Sequence, residues 1–244
     1  SADIDISAQR TAWGKFANNG QTCIAPDYIY VHESKMDAFV DALKDHLLTF
    51  YGDNAQSGNS YARIVNDSHY DTVKGYLSDA LSKGATISEG GHTDDTDNYI
   101  QPTIVTDVPM DSSLMMEEIF GPILPIIPYN NLDEVIDEIN KRPKPLALYI
   151  YSKIKRNINK ILNNTRAGGT CINHNEAHFF NQNLPFGGSN NSGIGKSHGF
   201  EGFKEFSNAR AVFTQHIPNA LDKLTPPYGA KWKQRLIDFT IKWL

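Results

Sequence analysis

The stretch Ile123-Leu124-Pro125-Ile126-Ile127 is nearly unbroken hydrophobic sequence, and Leu132, Val135, Ile136 and Ile139 follow it at helical spacing. The couplet then repeats. Leu146-Ala147-Leu148-Tyr149-Ile150-Tyr151 is followed by Ile154, Ile158, Ile161 and Leu162, and Gly168-Gly169-Thr170-Cys171-Ile172-Asn173 reads as one more strand. Strands that alternate with helices yet lack a polar face of their own must be covered on both sides. The fold class is therefore α/β, with a mostly parallel sheet and helices on both faces. Pro125 and Pro128 fit an edge or a bulge of that sheet better than its middle, because proline brings no N–H to a ladder.

Upstream, Ile6, Ala8, Gln9, Thr11, Ala12, Trp13, Phe16 and Ala17 are compatible with a helix that Asn19-Gly20 would stop, glycine being at ease in the left-handed C-cap conformation. Cys23 follows in a short turn. Pro26 bars a long helix, and Tyr28-Ile29-Tyr30-Val31 is β-branched and aromatic, a strand. Ser34 is placed to cap a helix, with Asp37 in the capping-box position and Met36, Phe39, Val40, Leu43 and Leu47 on its apolar face, running to about Phe50. Residues 52–60 are a polar loop. Asp67 is placed to cap a second helix bearing Tyr70, Val73, Leu77, Ala80 and Leu81, which ends at Lys83-Gly84. A short strand over 85–88, an exposed loop over 90–97 and a strand from Tyr99 to Val105 complete this half.

Downstream, 176–202 is a long Gly- and Asn-rich stretch whose Phe179, Phe180 and Phe186 favour a functional loop over a disordered one. Ala211-Val212-Phe213-Thr214 reads as a final strand, Leu224-Thr225-Pro226-Pro227-Tyr228 breaks the chain, and 230–244 closes it as a basic amphipathic helix. There is no internal repeat and no low-complexity tract.

The 244 residues suffice for one large domain or two small ones, and a 40% hydrophobic, 21% charged composition is ordinary for a globular protein. A net charge of −5 without a basic block argues against a nucleic-acid partner. Cys23 and Cys171 make no secreted disulfide framework and no zinc site, so no metal is expected and a reducing, cytoplasmic compartment is. No run of 18 apolar residues occurs, and the acidic opening Ser1-Ala2-Asp3 is no signal peptide. The absence of an initiator Met, in a chain that enters a helical pattern almost at once, points to an upstream part that has been cut away.

Three constellations are candidates for chemistry. Cys23 sits on a small-residue turn, where a fold can present a nucleophile; the alternative is a small buried hydrophobe. Following a helix C-terminus, it gains no help toward a thiolate from the helix dipole. Glu117-Glu118-Ile119-Phe120 enters the Ile123–Ile127 strand, either as a solvated cap or as an acceptor for a polyol with Phe120 as a wall. Asn190-Asn191-Ser192-Gly193-Ile194-Gly195-Lys196-Ser197 imitates a P-loop but lacks both the first glycine and the leading buried strand. The glycines 193, 195 and 199 are also misspaced for a dinucleotide fingerprint.

Together the pieces resemble the aldehyde dehydrogenase superfamily. Phe16 through Asp27, with Gly20-Gln21-Thr22-Cys23, resembles its active-site cysteine motif. Glu118-Ile119-Phe120-Gly121-Pro122 resembles its second motif, and Pro185-Phe186-Gly187-Gly188 with Ser192-Gly193-x-Gly195 its third, all in family order. Lys144-Pro145-Leu146-Ala147-Leu148-Tyr149, His198-Gly199 and Phe203-x-x-Phe206-Ser207 resemble the class-three branch, which includes fatty-aldehyde enzymes. Asn173-His174 departs from that branch, which usually has Asn-Asp before a later His, here His178.

The resemblance implies that the Cys23 thiolate attacks an aldehyde carbon, giving a thiohemiacetal that passes hydride to NAD or NADP and a thioester that is hydrolysed to the acid. It implies that the Cys23 N–H supplies half of an oxyanion hole. Glu118 would accept from the nicotinamide ribose hydroxyls with Phe120 packed beside them, and Phe186 would line the aldehyde's path. It further implies a catalytic domain over 1–205, an oligomerisation strand and amphipathic tail over 206–244, a homodimer, and a preceding NAD(P)-binding domain that is absent. That domain would carry the general-base glutamate and the second oxyanion donor, so the chain alone would be nearly inactive. The 230–244 helix is read as docking on protein in preference to a membrane surface. A non-enzymatic fragment of the same fold and a cysteine hydrolase are the rival readings.

Overall fold

A computed structural model of the chain describes residues 1–216 and 225–243, divided into two compact units, Ser1–Phe206 and Ser207–Leu244. Helix α1 (Ile4–Phe16) starts where the Asp3 side chain accepts from the Ile6 N–H at 3.3 Å. Its buried face is made of small residues, Ser7, Ala8, Thr11 and Ala12, together with Lys15 and Phe16. Those residues let it pack closely on α2 (Met36–Tyr51), which buries Phe39, Val40, Leu43 and Leu47. Between them runs β1 (Ile29–His32). Then come α3 (Asp67–Ser82), β2 (Thr86–Glu89), β3 (Thr93–Asp94), β4 (Tyr99–Ile100), β5 (Thr103–Thr106), α4 (Ser113–Met116) and β6 (Ile123–Tyr129). The first unit continues with α5 (Leu132–Lys141), β7 (Ala147–Ile150), α6 (Lys155–Asn164), β8 (Gly169–Ile172), α7 (Ala177–Phe180) and α8 (Gly199–Glu205). The second unit holds α9 (Lys231–Trp243).

The main sheet has the order β1-β6-β5-β2, parallel except for β2 against β5. Strands β7 and β8 form a separate parallel pair, and β3 with β4 an antiparallel one. The α/β reading with mostly parallel pairing holds. The prolines do not lie at an edge of the sheet, because β6 is central. Residues 123–125 pair with β5 and 126–129 with β1. Each half of β6 therefore has a partner on one side only, the condition under which a strand tolerates a missing N–H.

Several local expectations are corrected. Ser34 is not the cap of α2. It lies in a 3-10 turn over Glu33–Lys35, where the His32 ring accepts from its N–H. Asn66, not Asp67, caps α3, accepting from the His69 N–H at 2.9 Å. The 90–97 loop contains β3. The 99–105 strand is cut at Gln101-Pro102 into β4 and β5, and Gly91 N–H is taken by the Thr103 hydroxyl at 3.0 Å. The 176–202 stretch is built rather than structureless, with α7, a 3-10 turn over Asn190–Ser192 and the start of α8. Residues 211–214 form no strand and are exposed. The predicted break beginning at Leu224 and the helix end at Leu244 reach outside the described residues, while Lys231–Trp243 is helical as expected. No described helix is long and apolar enough to cross a membrane.

Candidate active site

The cysteine turn is built by a halt in α1. Asn18, Asn19 and Gly20 take φ of +49°, +60° and +72° in succession, so the helix cannot continue. Asparagine tolerates this region because its side chain bonds locally, and Asn18 Nδ2 donates to the Gln21 carbonyl at 2.9 Å. At Gly20 only glycine fits: a Cβ there would lie 2.3 Å from the Gly121 carbonyl oxygen. Backbone thus meets backbone between the cysteine turn and the Glu118–Gly121 segment. Gln21 anchors the turn to the approach to α3, donating to the Arg63 carbonyl at 2.9 Å and accepting from the Val65 N–H at 3.0 Å. Cys23 then occupies a turn closed by the Ala25 N–H on the Thr22 carbonyl at 2.9 Å. Its thiol is exposed, whereas Ile24 beside it is buried. From β7 the Tyr149 hydroxyl donates to the Ile24 carbonyl at 2.6 Å, bracing the turn from behind.

The facing segment is equally fixed. The Ile119 N–H donates to Asp27 Oδ1 at 3.1 Å, and Ile119 is fully buried. Phe120 is held at φ +45°, and its carbonyl accepts from His69 Nε2 at 2.8 Å, which assigns the ring proton to that nitrogen. Glu118 is left exposed beside them.

A buried charge lies under both segments. Lys15 is 1% exposed. Burial pushes its ammonium down to about 8, against the pull of Asp27 and Glu118. Burial raises Asp27, with Lys15 and the Ile119 N–H opposing. Burial also raises Glu118; the Asp27 charge adds to that and Lys15 opposes it.

Cys23, Glu118 and Phe120 line one cavity of about 850 Å³, together with Lys15, Thr22 and Asp27. Phe186 is not on that wall. It belongs to an aromatic cluster, stacked on His198 at 5.5 Å and edge-on to Phe179 at 5.0 Å, with its backbone bridged to Ser197. The ammonium of Lys196, the residue that imitates a P-loop lysine, is used inside the fold. It donates to the Gly168, Gly187 and Gly188 carbonyls at 3.2, 2.7 and 2.9 Å.

The other cysteine contrasts with Cys23. Cys171 is buried, its sulfur 3.1 Å from His178 Nδ1, and burial pushes its thiol up. The thiol–imidazole contact that a cysteine hydrolase would need thus belongs to the inaccessible sulfur. An exposed carboxylate beside an apolar ring at a cavity wall suits a vicinal diol, which fits the ribose of a nicotinamide cofactor at Glu118 and Phe120. Gly20 is the sole glycine on the wall, so this cavity offers no glycine-rich cradle for a pyrophosphate.

Lys15 and His69 escape the sequence reading, and Asp27 and Tyr149 enter it only as members of motifs, without the contacts they make. Lys15 carried a readable signal, a lysine on the helix face shared by Ala8, Thr11 and Ala12. His69 carried none, because its partner lies 51 residues away.

A model of the aldehyde dehydrogenase family matches residues 1–212. The chain belongs to the aldehyde dehydrogenase family. It is 42% identical over 231 residues to a dimeric, NADP-preferring aldehyde dehydrogenase of Rattus norvegicus, covering 94% of this chain and 50% of that protein. It is also 42% identical over 232 residues to aldehyde dehydrogenase family 3 member A2 of the same organism, covering 95% of this chain and 47% of that one. That likeness agrees with the class-three reading. A substrate-bound structure of Staphylococcus aureus AldH superimposes with a TM-score of 0.85 at 41% identity, over 98% of this chain and 52% of that one. The chain spans about half the length of these relatives.

Proposed function

We propose that this chain carries the thiol-bearing half of an NAD- or NADP-dependent aldehyde dehydrogenase site, oxidising an aldehyde to its carboxylic acid. The observation that carries the reading is the exposed Cys23 thiol on a braced turn, sharing a cavity wall with Glu118 and Phe120 in a chain of this family. Cys23 adds to the aldehyde carbon as thiolate, and its own backbone N–H faces the oxygen on which negative charge develops. Glu118 accepts hydrogen bonds from the ribose hydroxyls and Phe120 covers one side of that sugar. The bound dinucleotide supplies the hydride acceptor. Cys23 is released when water cleaves the thioester. The two free thiols suit a reducing, cytoplasmic setting.

Relatives of twice the length support a further part of this reading: the base that deprotonates the deacylating water and the second oxyanion donor come from sequence beyond these 244 residues. Among the described residues the Cys23 thiol makes no hydrogen bond to a base. The test is turnover of the isolated chain with an aliphatic aldehyde and NAD or NADP. The expected outcome is weak nucleotide binding and little or no acid formed. A kcat near that of a complete enzyme would overturn the division of the site.

A further inference from the structure

The Cys23 turn holds a run of hydrogen bonds that ends at the nucleophile's own amide. The Tyr149 hydroxyl donates to the Ile24 carbonyl at 2.6 Å, and the Ala25 N–H donates to the Thr22 carbonyl at 2.9 Å. The Ile24 carbonyl and the Ala25 N–H belong to one planar peptide unit; the Thr22 carbonyl and the Cys23 N–H belong to another. Each unit thus accepts at its oxygen, and the first passes a bond from its nitrogen to the second. At the far end the Cys23 N–H has no acceptor among the described residues.

We propose that Tyr149 is a positioning residue for the oxyanion donor, fixing through two peptide planes the direction in which the free Cys23 N–H points. The inference rests on the nucleophile reading of Cys23 given above.

An oxyanion donor is useful only if it already points to where charge will develop. A peptide plane held at its nitrogen alone can tilt about that bond, whereas the 24–25 unit is held at both ends. Its N–H then pins the oxygen of the unit that carries the donor. The hydroxyl that starts the run is itself well aimed. Tyr149 lies in β7 in register with Cys171 of β8, and its ring stands edge-on to His178 at 6.1 Å. Burial pushes the Tyr149 hydroxyl well above the usual tyrosine range, so it stays protonated and keeps donating. Polarisation acts in the same direction, since an amide that accepts at its oxygen donates better at its nitrogen, by roughly 10–30% per link. The other anchors of the turn, Gly20 against Gly121 and Gln21 on Arg63 and Val65, bond to neither of these two units. Tyr149→Phe therefore removes one donor and leaves the turn anchored.

Two reagents separate aim from access in the 244-residue chain. With p-nitrophenyl acetate the Cys23 thiolate adds to the acetyl carbon and charge collects on the carbonyl oxygen. The C–O bond then breaks, p-nitrophenolate leaves with its electron pair, and an S-acetyl thioester remains. Iodoacetamide loses iodide at a saturated carbon and develops no oxyanion. Tyr149→Phe should slow acylation of Cys23 about tenfold, short of the roughly 100- to 1000-fold that loss of a whole donor costs, while alkylation changes by less than about twofold. Tyr30→Phe, which removes a buried hydroxyl without a partner, should change neither rate. Equal acylation of wild type and Tyr149→Phe, or equal falls with both reagents, would overturn the proposal. Amide exchange of the wild type, followed by NMR, should be slow at Ala25 and fast at Cys23. An unprotected Ala25 amide would overturn the proposal without any variant. A wild type whose Ala25 is protected but whose Cys23 is not acylated would instead remove the nucleophile reading, so the two failures are distinct.

Discussion

At the scale of single residues the two cysteines differ by environment, and that difference is measurable. Cys23 is exposed on a turn, whereas Cys171 is 7% exposed against His178. Iodoacetamide should label Cys23 faster by about tenfold or more, read by peptide mapping. Preferential labelling of Cys171 would contradict the nucleophile assignment. Sequence made Cys23 legible through its turn chemistry and its motif; the covered strand that carries Cys171 was legible as well, but not the His178 ring that meets its sulfur. Glu176 was equally silent. It is 6% exposed, one carboxylate oxygen has no partner, and burial raises it to about 7 from an ordinary 4.5. Between those values the folded form keeps a proton that the unfolded chain has released, so its contribution to stability falls as pH rises through the window, by roughly 3 kcal/mol at most. Burial lowers the neighbouring His178 from 6.5, which costs stability toward acid, but that effect is common to wild type and variant. Glu176→Gln should therefore melt with wild type at pH 5 and above it at pH 8. An equal gap at both pH values would contradict the assignment.

At the scale of elements, helices and central strands were legible because periodicity survives without tertiary knowledge; their ends were not. Asn66, Asp67 and Ser68 are three adjacent residues able to cap a helix, and composition cannot order them. The backbone decides: Asn66 is extended, at φ −162° and ψ 166°, and its side chain reaches the His69 N–H. Asn66→Ala should cost about 1 kcal/mol in a urea titration. Asp67→Ala should cost less, since Asp67 contributes only first-turn charge and an exposed acceptor for Asn98 Nδ2 at 2.9 Å. Equal losses would return the cap to Asp67. Residues 211–214 show the opposite limit. Their β-prone side chains express a fit to a half-buried surface, and where they lie exposed that preference produces no strand.

At the scale of the whole molecule, the order of strands could not be read from the sequence. Apolar runs announce that strands are buried, not which of them touch, so a single parallel sheet was expected where two ladders stand apart. The second unit poses the related question of what its apolar side chains meet. Phe213, Phe239, Ile241 and Trp243 are 81%, 63%, 70% and 74% exposed, which is more apolar surface than a short segment ordinarily leaves to water. The reading favoured here is a second copy of the chain, in line with the dimeric rat relative. Light scattering should then give about twice 27.2 kDa for residues 1–244, and the mass of one chain after deletion of 207–244. A deletion variant that remains dimeric would remove this segment from the interface. A monomeric chain that floats with anionic vesicles, and loses that binding on deletion of 230–244, would instead assign the Lys231, Arg235 and Lys242 face of α9 to lipid.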